Sequence, residues 1–212
     1  MTAAATALAA GAVLPARATA EAFAAPNSDS PFDETWTDRL TGKHKQVFDA
    51  NAHNNGAFLG QIRNFFNTYR DVYGFADKDI SVVSQLHGTA IALAFNDATW
   101  TKYKLGEFFK VDDPQTKTPA LKNPFVVVTE GDAAAKESTV SVLQGRGVSF
   151  LVCNNTLLKR SALLAKARGE DAMAIHEDLK KGLLPGIYLV PAAMVALNRA
   201  QEHGCSYAFV GG

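Results

Sequence analysis

Apolar positions along this chain switch between the two-residue period of strands and the 3.6-residue period of helices, and they do so about five times. Residues 44–50, with Val47 and Phe48 apolar, read as a first strand. A polar turn, 51–56, ends in Gly56. Phe58, Leu59, Ile62, Phe65, Phe66 and Tyr69 then recur at helical spacing, and this helix ends near Gly74. Residues 80–86 form a second strand, followed by His87-Gly88. The apolar run 89–95 reads as a short helix crossing back over the sheet. Asp97 is the expected N-cap of an amphipathic helix carrying Trp100, Tyr103, Leu105 and Phe108. Residues 130–144 read as one helix and 148–153 as a buried strand. Residues 156–182 are helical, in two pieces broken near Gly169. Pro185-Gly186 marks a turn before the strand 187–190. Pro191 opens the next helix, a position where proline is tolerated. Ala192, Val195, Leu197 and Ala200 supply its inner face, Gly204 ends it, and 207–210 is the last strand.

Strands separated by helices in this way require crossover connections, which build a parallel sheet with helices on both faces. The alternation starts at residue 44, so 44–212 is expected to be a single α/β domain. Two stretches fall outside the pattern. Residues 26–43 form a polar arm with Pro26, Asn27, Asp29 and Pro31, expected to be extended. Residues 111–125 hold Pro114, Pro119 and Pro124 without periodicity and read as a loop insertion.

Residues 1–25 are dominated by alanine, with one arginine and one glutamate. Residues 3–14 resemble the apolar core of a secretory signal, and Ala18-Thr19-Ala20 fits a small-residue cleavage site. No basic stretch precedes them, so they are expected to be the remnant of an export signal that starts upstream. Localisation would then be periplasmic or otherwise exported.

Composition narrows the partners. The chain has 212 residues, 47% of them apolar, which is enough to bury a substantial core. It carries 21 basic and 21 acidic side chains without a basic run, so nothing favours a nucleic-acid surface. No apolar run reaches the roughly 18 residues of a membrane span. Phosphate loops of the GxGxxG and GxxxxGK[ST] kinds are absent. Gly145-Arg146-Gly147 precedes a strand instead of following one.

Of two cysteines, Cys153 falls at the carboxyl end of its strand and Cys205 just before the last strand. In a parallel sheet these are opposite edges, separated by a strand length of roughly 17–20 Å. A disulfide needs Cα atoms within about 7 Å, so Cys153 is expected to be free. A thiol at a strand end and a helix mouth sits on the edge where ligands bind in such sheets, and the helix N-terminus favours the thiolate. His53, His87 and Cys153 each follow a different strand, and a doubly wound sheet would bring them to one edge. His87 would serve as general base or hydrogen-bond donor to the thiol. Asn54, Asn155 and Thr156 would supply donors to an anion, together with helix amides. His176 and His203 read as structural.

The stretch 143–157, LQGRGVSFLVCNNTL, is similar to the cysteine strand of the DsrE/DsrF-like sulfur-relay family. The ending 184–191, LPGIYLVP, with Leu197, Ala200, Gln201, Gly204 and Tyr207-Ala208, resembles that family's closing strand-helix-strand. His87-Gly88 fits as well. Residues 96–103 and the proline-rich loop look like a longer, exported branch. The resemblance covers about 44–212. It implies a flavodoxin-like three-layer α/β/α fold, a homo-oligomer (trimer or hexamer), and a cysteine that carries sulfur as a persulfide. On that basis Cys153 and His87 are the expected catalytic residues. His53, Asn54, Gly88, Asn154, Asn155 and Thr156 are the expected ligand-binding residues. A small sulfur species or a partner protein would be donor and acceptor, with no cofactor and no resident metal. Two alternatives stay open: a binding module holding a soft metal through Cys153, His53 and His87, and an oligomeric scaffold in which Cys153 is inert core.

Overall fold

The structure is a computed structural model that describes residues 30–128 and 131–211. The chain divides into Met1–Ser30 and Pro31–Gly212. Apart from Ser30, the first unit lies outside the described residues, and so does the expected export remnant.

Five strands form one sheet: β1 (His44–Ala50), β2 (Ile80–Leu86), β3 (Ser149–Cys153), β4 (Ile187–Val190) and β5 (Ser206–Phe209). The order is β4-β3-β2-β1-β5 and every pairing is parallel. The helices are α1 (Ala57–Tyr73), α2 (Asp97–Tyr103), α3 (Leu105–Phe109), α4 (Ala133–Glu137), α5 (Val140–Gly145), α6 (Asn154–Arg168), α7 (Ala172–Lys181) and α8 (Ala193–Glu202). This is the expected three-layer, flavodoxin-like α/β/α architecture, with its own strand order and no antiparallel strand.

Strand order dictates the layers. Connections from β1 through β4 all step in one direction, so right-handed crossovers stack their helices on one face. The return from β4 to β5 steps the other way and puts α8 on the opposite face. Side-chain alternation agrees. Phe48, Ala50, Val82, Leu86, Phe150 and Val152 join the core beneath α1, α5, α6 and α7. Val47, Val83, Leu151 and Val190 face the other way, against Ala196, Leu197 and Ala200 of α8. All seven residues of β2 are buried, as expected of a central strand covered on both sides.

Trp36 completes the second core, with no exposed surface. It corrects the expectation of an extended arm over 26–43. Thr35–Arg39 is a 3₁₀ turn, opened by Asp33, whose Oδ1 accepts from the amide and hydroxyl of Thr35 at 2.9 and 2.6 Å. Glu34 pairs with Arg199 of α8 at 3.2 Å. Polar composition hid one large aromatic side chain, and its burial outweighs the polarity of its neighbours.

The segment 111–125 is anchored at both ends. Asp112 bridges Pro119, and Ala120 and Phe125 are buried. The buried Asn123 side chain donates to the carbonyls of Leu93 and Phe95 at 3.0 and 2.7 Å.

Several helix boundaries differ from expectation. Residues 133–145 form two short helices. The hydroxyl of Ser138 donates to Ala134 O at 2.6 Å, and Thr139 caps α5, because both side chains compete with helical bonding. Residues 90–94 form a 3₁₀ turn. Asn96, not Asp97, caps α2 by accepting from Thr99 N at 2.9 Å. The Trp100–Phe108 helix splits at Lys104, which adopts a left-handed φ of 48°. Helix α8 begins after Pro191, turning Ala193 and Ala196 inward and leaving Val195 exposed. The break near Gly169 stands where expected, with φ of 71°. No helix among the described residues is long and apolar enough to cross a membrane.

Candidate functional site

Four strands deliver polar side chains toward the carboxyl edge of the sheet. Cys153 is the last residue of β3 and the N-cap of α6. The run Ser149–Cys153 is fully buried, so the chain reaches the edge as a rigid strand and turns at once into a helix. Its Sγ accepts from the amide of Thr156 at 3.4 Å and from the amide of Ala193 at 3.3 Å. Two helix N-termini, those of α6 and α8, therefore aim N–H groups at one sulfur. This is the geometry that stabilises negative charge on a thiol. Cys153 is 4% exposed.

His87 follows β2 directly. Leu86 pairs with Val152, which brings His87 level with Cys153 and onto the same face, one strand spacing of roughly 4.8 Å away. Its Nε2 lies 2.8 Å from Oδ1 of Asp49, a buried carboxylate on β1. The hydroxyl of Tyr207 on β5 donates to Oδ2 of Asp49 at 2.8 Å. A carboxylate fixes the tautomer of a neighbouring imidazole: Nε2 carries the proton and Nδ1 is left as acceptor. The bond to Asp49 also raises the pKa of the Tyr207 hydroxyl. The strand connections reverse direction at β1, so Asp49 and Tyr207 sit at the switch point of the sheet, the usual place for a ligand. Between Asp49 and β3, in register with Asp49, lies Gln85. Its side chain is fully buried, and its Oε1 has no hydrogen-bond partner among the described residues.

The remaining expected site residues divide. Thr156 reaches Cys153 through its amide. Gly88 forms the turn after His87 with φ of 56°, and a Cβ there would overlap the carbonyl of Asn51. Its own carbonyl accepts from Arg160 Nε at 3.3 Å. His53 makes two bonds of its own. Its Nδ1 accepts from Asn55 N at 3.1 Å, so Nε2 holds the proton and donates to Phe109 O at 3.1 Å. The first bond shapes the 51–56 turn and the second ties it to α3. Asn54 and Asn55 are exposed residues of that turn, with left-handed φ of 40° and 48°. The Oδ1 of Asn154 accepts from His176 Nε2 at 2.8 Å, joining α6 to α7. Asn155 is exposed in the first turn of α6. In the soft-metal alternative His53 would have to release one of its two bonds to become a ligand. Among the described residues no group of three or more His, Cys, Asp or Glu stands where it would hold a metal.

Cys205 lies at the far end of the sheet, and both cysteines are free, as the strand geometry requires. Burial pushes its thiol up to about 11, which keeps it protonated and unreactive.

Asp49, Tyr207, Ala193 and Arg160 were missed in sequence. Only Asp49 left a signal, a lone carboxylate in the apolar second half of its strand. The others act through neighbours distant along the chain.

His176 carries a stability consequence. Burial, aided by Lys180, lowers its pKa from the ordinary 6.5. The unfolded chain then takes the proton first, so this contribution is complete above about pH 6.5 and is lost as pH falls toward the folded value. The melting temperature should drop between pH 7 and 5. His176→Gln, which keeps a donor for Asn154 but cannot titrate, should flatten that slope. An unchanged slope would remove His176 from the account.

No protein-family model matches this chain, and no curated protein matches it. Among solved structures it matches that of a protein of unknown function, MTH1491, from Methanobacterium thermoautotrophicum. The two are 18% identical with a TM-score of 0.42, over 79% of this chain and 99% of that one.

Proposed function

We propose that the protein is a thiol-dependent sulfur carrier of the DsrE/DsrF-like kind, in which Cys153 accepts a sulfane sulfur as a persulfide and passes it on. The observation that carries this reading is the pair of backbone amides, from two separate helices, converging on Sγ of Cys153. A thiol that only fills a core gap has no need of two donors. His87 is the base that removes the thiol proton, and Asp49 orients it. Donor and acceptor are a small sulfur species or a partner protein.

The resemblance adds a homo-oligomer, trimer or hexamer. Exposed apolar side chains at Met194 and Val195 of α8 and at Tyr207 and Phe209 of β5 suit contacts between copies. Export rests on the alanine-rich residues 1–25 alone. The 4% exposure of Cys153 favours the alternative, a scaffold in which the thiol only caps two helices.

Intact mass after incubation with a sulfane donor separates the two. The carrier gains one sulfur at Cys153 in the native state, whereas a scaffold gains none until it is unfolded. Asp49→Asn should slow loading by roughly 100-fold or more, the scale of losing an oriented general base. Loading at the wild-type rate in this variant would take His87 and Asp49 out of the chemistry.

A further inference from the structure

We infer that Arg160 forms an anion-binding pocket at the mouth of the Cys153 site, and that the sulfur donor enters as a small oxyanion bearing a terminal sulfane sulfur. The second half rests on the carrier reading; the pocket does not.

Arg160 lies about two turns beyond Cys153 on α6, which returns it to the same side of the helix. Helical side chains lean toward the N-terminus, here toward the thiol. Two contacts hold the guanidinium. Nε donates to the carbonyl of Gly88, the residue after His87, at 3.3 Å, and the group lies over the Phe109 ring, 5.6 Å from its centroid. A cation held in this way at a ligand edge ordinarily has a carboxylate beside it.

Three other arginines of the fold do have one, whereas the half-buried Arg63 bonds only the amide oxygen of Asn64, at 2.7 and 3.3 Å. Arg146 pairs with Asp77 at 2.8 Å, Arg168 with Glu170 at 2.7 Å and Arg199 with Glu34 at 3.2 Å. Arg160 has no acidic partner among the described residues, although burial lowers its pKa. Asp49, the buried carboxylate of this edge, is committed to His87 and Tyr207. Among the described residues only Nε of Arg160 is bonded, so the planar fork of its two terminal nitrogens remains to be matched. That fork fits two oxygens of one anion. The guanidinium, beside the turn that follows His87, and the amide-lined sulfur at the neighbouring strand end would together suit a donor with oxygens at one end and transferable sulfur at the other.

Thiosulfate has this shape. The Cys153 thiol gives its proton to His87 Nδ1, and the thiolate attacks the terminal sulfur. An Sγ–S bond forms as the S–S bond of thiosulfate breaks. The electron pair leaves with sulfite, whose oxygens Arg160 holds. Sulfur is transferred as a neutral atom, and no external oxidant or reductant is needed.

The test compares the full chain with Arg160→Gln and Arg160→Lys at constant ionic strength. Titration calorimetry with sulfate, which binds without reacting, reads the pocket. Intact mass and the rate of sulfur gain from thiosulfate read the chemistry, and a neutral organic trisulfide serves as a donor without oxygens. Expected results are sulfate affinity lowered at least tenfold in Arg160→Gln and partly kept in Arg160→Lys. KM for thiosulfate should rise by a similar factor, with the trisulfide rate unchanged. Melting without anion verifies that both variants fold. Equal sulfate affinity in wild type and Arg160→Gln would overturn the pocket. Thiosulfate loading that ignores Arg160 would overturn the choice of donor and leave the carrier reading intact. Sulfate binding through Arg160, with no sulfur gained from either donor, would support the pocket and overturn the carrier reading.

Discussion

Cys153→Ser is expected to abolish sulfur loading without unfolding the protein. Wild type should gain one sulfur atom in the native state and the variant none. The substitution is a clean test because serine is a favoured N-cap. Its hydroxyl oxygen can take over from Sγ in accepting the amides of Thr156 and Ala193, so α6 and α8 keep their caps. What disappears is the nucleophile. Cys205 provides an internal control. Its buried thiol, pushed up to about 11, should take no sulfur, which limits the gain to a single atom per chain. Loading that persists in Cys153→Ser would place the chemistry elsewhere. A wild type that stays unloaded until denatured would leave Cys153 as a structural cap.

Trp36→Ala should produce the largest loss of stability, about 3–5 kcal/mol on the scale measured for large aromatic truncations in cores. Domains of this size are stable by only about 5–15 kcal/mol, so that loss is a large share of the total. Trp36 has no exposed surface and packs against Val47, Val83, Leu151 and Val190 from three adjacent strands and their edge neighbour. The cavity left behind cannot collapse, because the sheet beneath it is rigid. One feature works in the opposite direction: Nε1 of Trp36 is buried without a hydrogen-bond partner among the described residues. Trp36→Phe keeps much of the ring and removes that stranded donor, so it should cost less than half as much. Urea unfolding followed by far-ultraviolet circular dichroism measures both. A loss below about 1 kcal/mol in Trp36→Ala would mean that the 31–43 arm is not part of the folded unit.

These two residues show where sequence reading succeeds and fails. Cys153 was legible because three local signals coincide: a β-branched and aromatic run, a polar break and a helical period. Its role as N-cap follows from neighbours in the chain. Trp36 was not legible, because a lone aromatic among Asp33, Glu34, Thr35 and Asp38 has no period. Its burial depends on the empty half of the sheet's second face, which α8 alone does not cover. His53 and Asn154 show a related ambiguity. Polar residues at strand ends and helix starts are as useful for closing turns and joining helices as for binding ligands. His53 shapes the 51–56 turn, and Asn154 ties α6 to α7.

Local periodicity and turn chemistry, which act over a few residues, were enough by themselves to specify five strands, the helices between them, a parallel α/β sheet and a free cysteine at a strand end. Tertiary structure decided everything that needs partners far apart in the chain. The strand order put α8 on the opposite face and its Ala193 amide onto Cys153. The pairing of β1 with both β2 and β5 brought His87 and Tyr207 to Asp49. The packing of α6 against the turn after β2 left Arg160 beside Gly88, with no acidic partner among the described residues. Hydrogen bonds and charges of this kind depend on distance in space, and separation along the chain carries almost no information about it.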